Sequence, residues 1–330
     1  MLNPDLKLNP KIFDKDIEMK ATREGYGEGL VILGEQNQNV VVLTADLSES
    51  TQCHHFEKKF PERFFEVGVA EQNMAAIAAG FAVTGKIAFI SSYATFSPGK
   101  NWETIRTTAV YNWANVKIAG HHAGVMTGPD GATHQATEDI AITRVWPKMT
   151  VMVPADSIQA KKATIMAGEI DGPVYLRFTR DKTPIMTTEE TPFELNQVQT
   201  FWTSDAPVAT IFSMGYMTYY ALLAAKELEE ENIHVEVVNV PVIKPLDTDG
   251  IINAVNKSGA VVTVEDHQIT GGLGGAIAEL LSEVRPTKMN FVGLRDTFAE
   301  SGKTPELLAK YQMDVPAIKN AIRSIINNLK

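Results

Sequence analysis

From Met19 to about Asp181, short β-branched runs alternate with longer stretches of helical period, the pattern of βαβ units around a parallel sheet. The runs Val40 to Thr44, Phe64 to Val67, Ile87 to Ser91, Val116 to Ala119, Val151 to Val153 and Val174 to Phe178 are predicted strands, with helices filling the gaps. Glu71 to Val83, EQNMAAIAAGFAV, is apolar nearly all round, which predicts a helix buried on most of its surface, central to its domain or at an interface. Between Lys182 and Ala206 the chain turns to Thr, Glu, Pro, Gln and Ser without a helical stripe, so a linker is expected there. A second alternation follows. Val208 to Phe212, Val235 to Val240, Ala260 to Glu265 and Asn290 to Val292 read as strands around helices Tyr216 to Glu231, Thr248 to Asn256 and Gly274 to Val284. The expected class is α/β, with two open domains: a parallel-sheet domain over 1–188, a linker over 189–206 and a smaller domain over 207–330.

The 330-residue length allows each domain a core of its own. A net charge of -10 argues against nucleic acid or an anionic membrane as partner, since both favour a basic face. Cys53 is the single cysteine, so no intrachain disulfide is available, which fits a reducing compartment. The first eighteen residues lack the apolar core of a signal peptide, and no apolar run approaches the ~18 residues that span a bilayer. Cytoplasmic residence is the expectation.

Chemistry concentrates in Gly120 to Asp139, GHHAGVMTGPDGATHQATED, where His121 and His122 follow a strand and glycines bring Asp130 and His134 back toward them. Such a loop is either a glycine-rich turn with incidental histidines or one wall of a site at a strand's carboxyl end. Glu71 opens the Ala-rich helix, where the helix dipole alone favours a carboxylate; its small apolar neighbours would also desolvate it, making it a candidate proton donor. Asp46 follows a buried strand and either caps a turn or, with Ser48, Ser50 and Thr51, faces a polar ligand. Arg180, with Arg177, ends another strand and either pairs with acids such as Asp181 or receives phosphate or carboxylate.

A metal set of His122, Asp130 and His134 is conceivable, but the chain has no HExxH motif and no Cys/His ligand spacing. The adjacent pairs His54/His55 and His121/His122 should diverge on a regular backbone, so no protein-ligated metal is expected. Gly271 to Gly275, GGLGG, lacks the G-x-G-x-x-G order and reads as a tight turn that lets a helix approach a strand.

Taken in order, ADLSES, FFEVGVAEQNM, SSYATFSPG, HHAGVMTGPDGATHQATED, VPADS, YLRFTR and VTVEDHQITGGLGGAIAE resemble the transketolase family of thiamine diphosphate enzymes. The resemblance covers nearly the whole chain, but only as the pyrimidine-binding and C-terminal domains; the front half of a full-length transketolase, with its diphosphate-binding GDG motif and downstream Asn, has no counterpart. It implies that Glu71 hydrogen-bonds N1′ of the cofactor's aminopyrimidine and promotes the imino tautomer that deprotonates the thiazolium. Phe96 would stack on that ring with Tyr93 nearby, and Asp46 would edge the cofactor site. Ser50 and Arg180 would bind substrate phosphate, His122 and His134 substrate hydroxyls, phosphate or protons, and Asp130 a donor hydroxyl. His121 has no family role and is expected to be structural. The family's phosphate-binding Arg near the start of this domain falls on Met19, with Lys20 or Arg23 as alternative replacements whose side chains leave from other positions.

The resemblance thus implies the C-terminal subunit of a split transketolase, transferring a two-carbon ketol unit between sugar phosphates in carbohydrate metabolism. An N-terminal partner subunit would hold the diphosphate and most of the Mg2+ coordination, and two chains of each kind would give an α2β2 heterotetramer. The beta subunit of a 2-oxo acid dehydrogenase, or a protein like deoxyxylulose-phosphate synthase, is the alternative.

Overall fold

The computed structural model describes residues 1–327. In chain order its strands are β1 (Met19–Ala21), β2 (Val40–Thr44), β3 (Phe64–Glu66), β4 (Ile87–Tyr93), β5 (Val116–His121), β6 (Thr150–Met152) and β7 (Val174–Arg177). They continue as β8 (Lys182–Pro184), β9 (Gln199–Trp202), β10 (Ala209–Ser213), β11 (Val235–Asn239), β12 (Val242–Lys244), β13 (Ala260–Gln268) and β14 (Lys288–Leu294). The first sheet runs β12-β6-β7-β5-β4-β2-β3 and the second β14-β13-β10-β11-β9, while β1 and β8 form a separate antiparallel ribbon. β12 and β9 are the antiparallel edges of otherwise parallel sheets. Strands β2, β5, β7, β10 and β11 are buried along their whole length, so most of their positions are apolar on both faces, although Lys117, Arg177 and Glu236 are buried among them.

In the first sheet the chain leaves β2 to form β3 on one side and then β4 on the other. The carboxyl end of β2 is therefore a topological switch point, where α/β sheets open a crevice. Register aligns Tyr93 at the end of β4 with His121 at the end of β5, and Gly120 with Arg177 on β7. Asp46, Phe96, His122 and Arg180 all follow these carboxyl ends in sequence.

The segment expected to be a linker is structured. Its residues 199–202 form β9, which pairs with β11, and Thr188 and Thr191 both donate to the carbonyl of Lys7. The N-terminal residues lie alongside, with Leu2 bridging Trp202 and Asn9 donating to Met186. Polar side chains concealed this strand because it is an edge held by backbone bonds. β12 was also unforeseen; it follows the second domain's β11 yet pairs with β6 of the first sheet. One apolar cluster accordingly runs from Leu43 and Ile90 through Val153 to Phe212, Val238 and Val261, so the two sheets share a core.

The helix Glu71–Val83 buries only one face, through Met74, Ala75, Ala78 and Ala79. Gln72, Asn73, Ala76, Gly80 and Val83 lie exposed on the other, and Val69 just before it is 71% exposed. The expectation of burial over most of its surface does not hold within this chain. Among the described residues, no helix is long and apolar enough to cross a membrane.

Candidate active site

Glu71 occupies the first position of its helix with a side chain only 2% exposed. Its surroundings are not purely apolar: Lys100 Nζ donates to Oε2 at 2.9 Å, with the lysine side chain 46% exposed. Asn101, fully buried, donates from Nδ2 to the Glu71 carbonyl at 3.0 Å and from its backbone N–H to the Phe96 carbonyl at 3.2 Å. One asparagine thus fixes the acid relative to the aromatic ring. Neither Lys100 nor Asn101 stood out in the sequence; the only signal was their place directly after SSYATFSPG.

Phe96 stacks on Tyr93 at a centroid distance of 6.1 Å and 20° between planes, and meets His134 edge-on at 5.4 Å. Tyr93 in turn stacks on His122 at 4.1 Å and touches the edge of His134 at 5.9 Å. The loop histidines therefore join the β4 aromatics in one wall. Ser50 extends it, its hydroxyl 2.8 Å from the Tyr93 hydroxyl.

Arg23 reaches the same place, donating from Nη1 to the Ser50 carbonyl at 2.8 Å and lying 3.2 Å from His122 Nε2. Met19, where the resemblance had placed a missing arginine, sits instead on β1, paired with Pro184 and 44% exposed. The guanidinium comes from the first turn of the helix Thr22–Gln36, whose start aims Arg23 across the end of β2. Linear spacing could not reveal that reach. Arg23, Asp46, Ser48, Ser50, His54 and His55 line an open cavity of about 880 Å³, within the size range of small-ligand clefts. Asp46 takes the left-handed conformation (φ 61°), and its N–H is held by Glu66 Oε1 at 2.8 Å.

His122 also adopts positive φ (53°) and is 2% exposed. Burial first, then the positive charges of Arg23 and Arg180 and the neighbouring His134, push its pKa down to about 3. An arginine can only donate, so Nε2 of the neutral ring accepts and the proton sits on Nδ1. That buried N–H has no partner among the described residues. His134 Nδ1 lies 2.9 Å from the Thr133 hydroxyl.

Arg180 meets Asp130 at 3.5 Å and Asp181 at 3.4 Å, with about a third of its side chain exposed (31%). Both sequence readings of Arg180 thus coexist, an ion pair and a cation that still faces solvent. Arg177 does not face the cleft. It is buried, donating to Asp139 Oδ2 at 2.8 Å and to the Asp266 carbonyl at 2.8 Å.

His121 points away from His122 into the core, wedged between Tyr26 and Phe178 at 4.9 and 5.0 Å. Burial drives its pKa well below the usual value, so it is a neutral packing residue. His54 and His55, expected to diverge, have rings only 4.0 Å apart; rotation about the side-chain torsions at the start of the helix His54–Lys59 brings them together. Among the described residues, no group of three or more His, Cys, Asp or Glu is placed to hold a metal ion. At GGLGG the helix N-terminus is filled by Glu265, which accepts from Leu273 and Gly274 N–H groups at 2.8 and 2.9 Å.

Family models for the transketolase pyrimidine binding domain and the transketolase C-terminal domain match residues 18–186 and 203–318. A protein of Methanocaldococcus jannaschii, provisionally named a transketolase C-terminal section, is 45% identical over 92% of this chain and 95% of its own length. The 6-deoxy-6-sulfo-D-fructose transketolase subunit SqwH of a Clostridium strain is 35% identical over 95% of this chain and 97% of its own. Human transketolase is 32% identical over 98% of this chain, which spans 50% of that protein. Among solved structures, a split-gene transketolase determined as an inactive beta4 tetramer superposes with a TM-score of 0.86 at 44% identity, covering 93% of this chain and 99% of that one. This chain belongs to the transketolase family, as its pyrimidine-binding and C-terminal domains.

Proposed function

We propose that this chain is the C-terminal subunit of a split transketolase, moving a two-carbon ketol unit from a ketose phosphate to an aldose phosphate with thiamine diphosphate. The observation that carries the reading is Asn101, which ties the buried Glu71 to Phe96 in the aromatic wall. A nearly buried acid beside an aromatic wall is a donor set that fits an aminopyrimidine: Glu71 for a ring nitrogen, Phe96 and Tyr93 for its face. Bound thiamine diphosphate would supply the nucleophilic carbon that accepts the ketol unit.

The chain's own residues do the rest. Glu71 presents Oε2, where Lys100 now donates, to the ring nitrogen. The His122 Nδ1–H and the His134 ring offer hydrogen bonds to sugar oxygens, and Asp130 accepts from a hydroxyl. Arg23 and Arg180 present fixed guanidinium groups to the substrate phosphate, with Ser50 as a further donor. The diphosphate and its Mg2+ fall mainly to an N-terminal partner subunit, in a cytoplasmic heterotetramer of two chains of each kind.

The test is reconstitution. Mixed with the partner, thiamine diphosphate and Mg2+, the chain should transfer a ketol unit between sugar phosphates, and Glu71→Ala should lower kcat by about 10²-fold or more with assembly intact. Robust turnover by the purified chain alone, decarboxylation of pyruvate by the complex, or full activity of Glu71→Ala would each overturn the reading.

A further inference from the structure

The loop that carries His122, Asp130 and His134 leaves and re-enters the first sheet, yet much of its backbone is satisfied by the other domain. Asp266, fully buried near the carboxyl end of β13, accepts from Val125 N–H at 2.8 Å on Oδ1 and from Met126 N–H at 3.2 Å on Oδ2. The approach is close enough that a Cβ on Gly124 (φ +80°) would lie 2.0 Å from Asp266 Oδ2. Farther along the loop, Gln135 Nε2 donates to the Glu300 carbonyl at 3.1 Å, and the Gln268 N–H to the Thr137 carbonyl at 2.8 Å. Arg177 closes the clamp by donating at once to the Asp266 carbonyl and, at 3.3 Å, to the Ala136 carbonyl.

A second contact acts on the arginine. Thr304, at the start of the helix Thr304–Lys310, donates its hydroxyl to Asp181 Oδ2 at 2.6 Å, and the other oxygen of that carboxylate faces Arg180 at 3.4 Å. Arg180 itself lies 3.5 Å from Asp130. The order Thr304, Asp181, Arg180, Asp130 thus runs from the C-terminal domain to the substrate wall.

We infer that Asp266 and Thr304 are positioning residues of the C-terminal domain, which sets the substrate side of the cleft while leaving Glu71, Phe96 and Asn101 to the first domain. The inference rests on the proposed ketol transfer for its kinetic consequence, but not for its structural one. Neither residue touches the cofactor wall: the Asp266 carboxylate accepts from loop amides and its carbonyl from Arg177, while Thr304 donates to a carboxylate. Fixing loop amides and a guanidinium in advance removes the ordering cost of substrate binding, so the effect belongs in KM for the sugar phosphate.

The test compares Asp266→Asn and Thr304→Val with the wild-type chain. In the chain alone, amide hydrogen exchange over residues 122–137 should rise in Asp266→Asn, by about tenfold or more at Val125 and Met126, since one acceptor is replaced by a donor. In the reconstituted complex both variants should raise KM for the sugar phosphate by about fivefold or more, with kcat and thiamine diphosphate affinity held within about twofold. Unchanged KM in both variants, or parallel losses in KM, kcat and cofactor affinity, would overturn the inference. Thr304→Val is close to isosteric and sits at a helix start, so it keeps the test open if Asp266→Asn folds poorly. Should the wild-type complex show no ketol transfer, the functional reading fails, and unchanged exchange in Asp266→Asn would still defeat the clamp on its own.

Discussion

His122 is held neutral by burial and by the guanidinium groups around it, and that has a measurable cost in acid. Its folded pKa of about 3 lies below the unfolded value near 6.5, so below pH 6.5 the unfolded chain binds a proton that the folded chain refuses. Stability tied to this residue is therefore complete above pH 6.5 and is lost progressively as pH falls toward 3. His267, fully buried and lowered to about 4, acts in the same direction. Glu265 opposes them: burial raises its carboxyl to about 7, so its contribution is full below pH 4.5 and is lost as pH rises through 7. Comparing urea unfolding at pH 6.5 and pH 5, His122→Gln should lose about 2 kcal/mol less than wild type over that interval, from ~1.4 kcal/mol per pH unit for one proton. An identical pH dependence in the two proteins would show that His122 titrates normally in the folded chain.

The helices Thr22–Gln36 and Ser157–Glu169 pack closely because glycine lines their contact. A Cβ on Gly25 would lie 1.9 Å from the Ser157 carbonyl oxygen, a backbone atom that cannot rotate away. Gly25→Ala should thus destabilise the chain by about 1–3 kcal/mol despite alanine's better helix propensity, read as a lower urea midpoint. Because Arg23 lies in the same first turn, the displacement should also weaken sugar phosphate binding in the complex. A stability equal to wild type would mean that the helices separate without cost. What was legible at this scale follows from burial. Strands buried on both faces, such as β2, β5 and β10, announce themselves as apolar runs, whereas β1, β8, β9 and β12 are short edges or ribbons whose pairing resides in backbone groups that composition does not report. The helix Glu71–Val83 was recognised as apolar, but apolarity alone cannot say whether a face meets its own core or another molecule. Of the candidate site, Glu71, Ser50, His122 and His134 stand out in the residues themselves and Phe96 and Tyr93 through the resemblance, whereas Lys100, Asn101 and the placement of Arg23 depend on reach rather than on spacing.

At the scale of the whole molecule, the shared core and the Asp266 clamp make the two domains one body. The helix that begins with Glu71 turns its outer face to solvent, where Asn73, Ala76, Gly80 and Val83 are exposed and Val83 is 76% accessible. Small and apolar residues on an exposed helical face suit close approach by another chain. If this face receives the partner that completes the site, a charge placed there should prevent assembly without harming the fold. Gly80 is the position to use, since an added Cβ meets no atom within 4 Å and the substitution also removes a helix-interior glycine. Gly80→Glu should therefore match or slightly exceed wild-type thermal stability as an isolated chain. In sedimentation velocity with the partner subunit it should remain separate at concentrations where wild type associates, and ketol transfer should fall with the fraction assembled. Association and activity equal to wild type would place the partner on another face and leave the exposed Glu71 helix without a role in assembly.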